Sequence, residues 1–144
     1  MPFPIEYATA TQDFYNFMDD VKHKADFHSF HVTYTMVQGV FQTFRSRVTV
    51  DEALKFANCL PVALRALFVK DWDVNQVQKE FESFEIMNED VKSLRSDHNF
   101  SRDNAIEIVS SVLLNHVEQV YFSKMMDNMS DEIKLFWNYK SPNI

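Results

Sequence analysis

The chain has 144 residues, 46% of them hydrophobic and 14 of them Phe, with a formal net charge of −7. That length suits one domain with a core of its own, and that apolar content excludes a disordered chain, which lacks the buried area to offset ordering entropy. The negative balance disfavours nucleic acid and anionic membrane as partners, since both need clustered Lys and Arg.

Taken in chain order, the helix starts are legible. Thr9 with Gln12, and Thr49 with Glu52, have the spacing of a capping box, in which two orphan donors are satisfied reciprocally. Asp73 with Gln76 is a weaker version. Pro61 suits a first helical position, where its missing N–H costs nothing. Ser101 precedes Asp103, and Ser130 precedes Asp131 and Glu132, which sets acids at the positive end of a helix. Between these starts the apolar period is helical: Tyr34, Val37, Phe41, Phe44 and Val48 step 3-4-3-4, and Val109, Leu113, His116 and Val120 follow the same rule. The pattern predicts helices at about 10–25, 30–47, 50–59, 61–70, 74–83, 85–96, 102–117, 119–126 and 130–138. Gly39 falls inside the second, where close helix–helix approach explains it. One Gly and four Pro in the whole chain argue against a strand-rich fold, which needs Gly in its turns. The fold class expected is all-α.

The chain also echoes itself. Phe14, Met18 and Val21 recur 73 residues on as Met87, Val91 and Leu94; Val37, Val40 and Phe41 recur 72 on as Val109, Val112 and Leu113; Leu60, Leu64, Leu67 and Phe68 recur 69 on as Met129, Ile133, Phe136 and Trp137. Two tandem helical repeats in one compact bundle are therefore expected over 1–144. The first half is about 10–70, an acidic connecting segment covers 71–84, and the second half is about 85–140; each half would cover the other's apolar face.

A single cysteine rules out an intramolecular disulfide. The start, Met1-Pro-Phe-Pro-Ile-Glu-Tyr7, has no basic stretch followed by an apolar core, so no secretory leader is expected. No apolar run approaches the ~18 residues of a membrane span. The cytoplasm is the expected compartment.

Tyr34-Thr-Met-Val-Gln-Gly-Val-Phe-Gln-Thr-Phe-Arg45, Leu60-Pro-Val-Ala-Leu-Arg-Ala-Leu-Phe-Val69 and the opening Pro-Phe-Pro-Ile-Glu-Tyr resemble the bacterial family called domain of unknown function 2267. The likeness covers most of the chain and is strongest in its first half. It implies an all-α fold of two tandem helical repeats, each closing with a Leu-Pro pair before its last helix; here the second copy has Met129-Ser130 instead. The family has no established activity, so the resemblance carries over no functional residue.

Candidate chemistry is sparse. His23, His28 and His31 lie close in sequence near Asp19, Asp20 and Asp26, and a spacing of three can set two imidazoles on one helix face. They are the metal candidates, against the simpler reading of polar residues at an exposed interhelical turn. His116 occupies an apolar phase and reads as a packed, hydrogen-bonded core histidine. Cys59 sits near a helix start, where a thiolate would be favoured, but Ala53, Leu54, Ala57 and Leu60 place it against a core as a buried, inert thiol. The carboxylate pairs Asp19–Asp20 and Asp71–Asp73 face water on the simplest reading, with no pocket to raise a pKa for acid–base work. No glycine-rich phosphate loop, Gly-x-Ser-x-Gly, His-Glu-x-x-His or Cys-x-x-Cys is present. No cofactor is implied.

Residues 71–90 carry seven acids against one base, Lys79, and the three aromatics there (Trp72, Phe81, Phe84) are interleaved with the acids. Trp72, Glu80, Glu82 and Glu85 are the candidate contacts to a basic protein partner; a solvated face with its aromatics turned inward is the simpler alternative. The expected function is a non-enzymatic helical protein–protein interaction module; the second reading is a small-ligand or metal-binding helical protein, with enzyme activity as one form of it, centred on His23, His28 and His31.

Overall fold

A computed structural model describes residues 4–95 and 101–141. Among the described residues it is built from helices: α1 (Ile5–Ala8), α2 (Ala10–Ala25), α3 (Phe30–Arg45), α4 (Val50–Ala57), α5 (Val62–Val69), α6 (Phe84–Lys92) followed by a 3₁₀ turn (Ser93–Arg95), α7 (Ala105–Leu113), α8 (Gln119–Asp127) and α9 (Asp131–Phe136). None is long and apolar enough to cross a membrane.

The caps explain most of the boundaries. Thr49 and Glu52 close the expected capping box at α4, and Ser130 Oγ accepts the Ile133 amide at α9. Ser29 and Ser83 do the same at α3 and α6. Thr9 forms no box with Gln12: α1 precedes it, and its hydroxyl donates back to the Ile5 carbonyl and to Asp13 instead. Pro61 is one residue earlier than expected, at the N-cap of α5, and α7 starts after Asn104, not Ser101. α2 and α9 each end on a left-handed residue, Asp26 (φ 56) and Asn138 (φ 51). Phe27 N–H then reaches the Lys22 carbonyl (2.9 Å) and Tyr139 N–H the Lys134 carbonyl (2.8 Å), which closes both helix ends.

The segment 74–83 departs from expectation. Its apolar spacing predicts a helix, but it runs without one, and Val74 and Val77 stand in solvent. Its polar groups are taken by the end of α3. Lys79 N–H donates to the Ser46 carbonyl (2.9 Å), Arg47 Nε to the Glu80 carbonyl (3.1 Å), and the Gln78 side chain to the Arg47 carbonyl (3.3 Å). Hydrogen bonds made across space replace those a helix would make along the chain.

Helix α3 is the centre of the molecule. It is buried on most of its circumference, from Thr33 to Arg45, as a helix surrounded by others must be. Thr33 and Thr35 satisfy their buried hydroxyls on the carbonyls four residues back. α2, α5, α6 and α7 pack around α3, and α2 also packs on α7. An aromatic cluster joins the two ends of the chain: the Phe44 ring lies 4.9 Å from Phe56, 5.1 Å from Phe136 and 5.1 Å from Trp137, and Phe56 stacks on Trp137 at 4.7 Å. These spacings are those at which aromatic pairs contribute ~0.5–1.5 kcal/mol beyond their area.

Four helices follow one another on each side of the acidic segment, α2–α5 and α6–α9. Their lengths do not repeat: 16, 16, 8 and 8 residues before the segment, and 9, 9, 9 and 6 after it. The packing between the two runs is reciprocal, first on second and second on first: α2 on α7, and α3 on α6. It breaks at the last helix. α5 packs against both α2 and α3, whereas α9 makes no comparable contact with α6 or α7.

Candidate functional site

The divergence at α9 opens a groove. Phe136 and Trp137 at the end of α9 are buried and turn toward Phe44 and Phe56, which swings the opposite face of α9 away from α6 and α7. The gap is about 550 Å³, a size typical of pockets that take a ligand or a partner's side chains. Its floor is apolar: Phe136, with Phe84 6.5 Å away between ring centroids and Leu135 beside it. Phe84 is 37% exposed and Leu135 64%. Asn138, held in the left-handed conformation that stops α9, lies at one end.

The rim is set by α6 and by the start of α7. Asn88 on α6 is buried, and its Oδ1 accepts the Ile106 amide at 3.0 Å. That bond fills the capping role at α7 that the Asn104 side chain leaves open, and it fixes α6 against α7. Glu85 on α6, Asp103 just before α7 and Glu107 on α7 then stand at the groove, whose lining among the described residues holds these three carboxylates and no Lys, Arg or His. Lys92 is paired with Asp103 and holds its carboxyl below the usual range. The Ser110 hydroxyl, also in the lining, donates to the Glu107 carbonyl at 3.1 Å. The arrangement offers an apolar floor under a negative rim, a binding surface rather than a nucleophile with its base.

The residues singled out in the acidic segment scatter. Glu85 reaches the groove. Glu82 is drawn inward: Arg47, whose side chain is wholly buried, donates through Nη2 to Glu82 (3.1 Å) and to Asp90. Glu80 gives Arg47 its main-chain carbonyl, while the residue itself is exposed. Trp72 is half-buried against the core, with the Arg45 guanidinium 5.5 Å from its ring centre. Arg45 donates to the Phe68 and Lys70 carbonyls (2.8 and 2.9 Å). Two arginines after a long apolar helix, facing a segment of seven acids and one base, are the signal by which this strapping could have been found. Asp103, Glu107 and Leu135 have no such signal, because the groove depends on where α9 comes to rest.

The other candidates do not converge. His23, His28 and His31 are exposed; His23 Nδ1 donates to the Asp19 carbonyl at 2.8 Å. No group of three His, Cys, Asp or Glu that could hold a metal ion is found among the described residues. His116 is a correction in part. α7 ends at Leu113, so the ring lies past the helix and its side chain stays 17% exposed, edge-on to Phe17 at 5.4 Å with Nε2 2.6 Å from Asp20. The acidic pairs are split: Asp19 faces His23 and Asp20 faces His116, while Asp71 pairs with Lys70 and Asp73 accepts the Asn75 amide in a turn. Cys59 is buried, its Sγ–H turned to the Lys55 carbonyl at 3.6 Å; burial and then Glu118 push the thiol up to about 11.

The sequence model of the family described as Uncharacterized conserved protein (DUF2267) matches residues 14–136. No curated protein matches the chain.

Proposed function

We propose that this chain, which belongs to the DUF2267 family, is a non-enzymatic helical interaction module whose docking surface is the groove between α6, α7 and α9. The observation that carries the reading is the pairing of half-exposed Phe84 and mostly exposed Leu135 with a rim of three carboxylates. A bounded apolar floor with a polar rim is the form of a protein-binding patch. The acidic segment itself is a weaker candidate, since Glu82 and Asp90 are paired with the buried Arg47 and Trp72 packs against the core. A negative rim also favours a protein over nucleic acid.

Site-specific photo-cross-linking tests this. A photoreactive residue at position 135 should capture a discrete protein from the native host's extract, and the same residue at Val77, which is 86% exposed, should not. Capture at 77 but not at 135 would move the docking surface to the acidic segment. Capture at neither would remove the interaction reading.

We also infer that α2–α5 and α6–α9 descend from one duplicated unit. The reciprocal packing of α2 on α7 and α3 on α6 supports this, as does the burial in one core of the recurring positions Val37, Val40 and Phe41 with Val109, Val112 and Leu113.

A further inference from the structure

We propose that the groove takes a cationic amphipathic helical segment of a partner protein, seated across α6 and α7 with an apolar side chain on Phe84 and Leu135 and Lys or Arg toward Glu85 and Glu107. The proposal rests on the groove being the docking surface and adds the chemistry of its occupant. Charge and packing geometry specify that chemistry.

The first is charge. Among the described residues, three carboxylates and no basic side chain line a groove whose floor is Phe84, Leu135 and Phe136; Lys92, outside the lining, pairs with Asp103, and Glu85 and Glu107 make no ion pair among the described residues. An acidic or neutral apolar segment would lose the water around Glu85 and Glu107 with no charge to replace it, whereas Lys or Arg stems can cover apolar surface and still place the cation on the rim. The carboxylates come from α6, the turn before α7 and α7 itself, and do not meet as a metal site among the described residues. Spacing of that kind suits several side chains of an extended partner better than one small cation.

The second is the geometry of the chain's own precedent. On the other side of the molecule α5 lies against both α2 and α3, with Leu64, Leu67 and Phe68 buried. The corresponding place on α6 and α7 is left open because α9 turns its aromatic end toward Phe44 and Phe56. A partner helix with apolar residues at i, i+3 and i+4, the spacing of Leu64, Leu67 and Phe68, would complete on α6 and α7 the packing that α5 completes on α2 and α3.

The test uses three synthetic peptides of about four turns that share one apolar stripe at that spacing and differ only in the remaining positions, which are Lys, Gln or Glu. Binding to the full chain is measured by fluorescence anisotropy at two salt concentrations, and the contact is located by amide chemical shifts. The Lys peptide should bind about tenfold or more tightly than the Gln peptide, with shifts centred on Ser110, Leu135 and Asn138. The preference should shrink at higher salt and in the double variant Glu85→Gln, Glu107→Gln, both exposed positions that leave the fold intact. Equal binding of Lys and Gln peptides with groove shifts would overturn the cationic occupant and leave the docking surface standing. Lys-peptide shifts spread over the acidic surface and absent from the groove would show adventitious charge pairing and overturn the proposal. Failure of every peptide to shift groove amides would overturn it as well; capture at position 135 then decides separately whether the groove docks a protein of other chemistry.

Discussion

Gly39 and Val91 meet where α3 crosses α6: a Cβ built on Gly39 would stand 2.7 Å from the Val91 carbonyl oxygen and 3.0 Å from its Cγ1. The chain's only glycine is thus in a helix, not a turn, and its turns use Asp26, Asp71 and Asn138 in the left-handed region instead. A helix-interior Gly costs ~1 kcal/mol relative to Ala; here the missing Cβ is what allows the two backbones to touch.

Gly39→Ala should therefore destabilise the fold despite better helix propensity. Overpacking costs ~1–3 kcal/mol, and the atom in the way is backbone, so α6 itself must move. Urea denaturation should show a net loss of up to about 2 kcal/mol after the propensity gain. An unchanged or raised midpoint would mean that α6 shifts freely.

This contact shows how far the sequence could be read. The glycine's reason was legible, as were the all-α class, the long helices expected at about 10–25 and 30–47 (the second stops at Arg45), and the Thr49–Glu52 cap, because each depends on residues a few positions apart. The segment 74–83 was misread for the opposite reason. Val74 and Val77 have helical spacing, but the choice was made by Ser46 and Arg47 about thirty residues earlier, which bind its backbone. Arg45 and Arg47 count as two surface charges in a sequence and are buried donors in the fold, a use that the planar guanidinium permits. Of the groove, Glu85 was singled out as a contact and Phe84 as an aromatic of the acidic segment, while Asp103 was named only as a helix-start acid. Its other walls come from α7 and α9, and no local pattern announces that α9 leaves α6.

Cys59 supplies a pH test. Burial, then Glu118, raises its thiol from 9.0 to about 11. The unfolded chain therefore releases this proton first, so the group's contribution is fully present below pH 9 and is lost as pH rises from about 9 toward 11. Cys59→Ser should weaken that alkaline loss, measured as denaturation midpoints at pH 8 and above. In native protein at neutral pH the thiol should react with a disulfide reagent roughly a hundredfold more slowly than in denatured protein, in keeping with its small thiolate fraction. Comparable rates in the two states would contradict the buried, protonated thiol.

Asn138 holds φ 51 to close α9 and line the groove. Glycine reaches that region with no Cβ penalty, whereas other L residues are strained by ~1–2 kcal/mol and Asn by less. Asn138→Gly should raise stability slightly, by about 0.5 kcal/mol, and Asn138→Val should lower it by about 1–2 kcal/mol. Thermal melts would resolve the order Gly, Asn, Val. A Val variant as stable as wild type would show that α9 can end without the left-handed residue.

The acidic segment separates its carboxylates by what each one faces. Arg47 is the hinge of the difference: its buried guanidinium binds Glu82 and Asp90 through one nitrogen and the Thr43 and Glu80 carbonyls through the others. Were residues 71–90 a uniformly solvated strip, changing any acid to its amide would relieve repulsion and leave stability unchanged or slightly raised. That outcome is expected at Glu80, an exposed residue that engages Arg47 only through its backbone, and at Glu85 on the groove rim. Glu82→Gln should instead cost up to about 1 kcal/mol, its carboxylate being part-exposed beside Arg47. Asp90→Asn should cost more, about 1–2 kcal/mol, because Asp90 is the less exposed partner and also lies 3.8 Å from Lys79. Arg47→Met removes the shared donor, and the loss should approach the ~3 kcal/mol lower bound for breaking a buried pair, since both carboxylates keep some water. In the Arg47→Met background, Asp90→Asn should lose most of its effect, and this coupling isolates the pair from simple charge reduction. Equal, near-zero effects of all four amide substitutions, with no coupling to Arg47, would show that the segment is held by its backbone contacts alone.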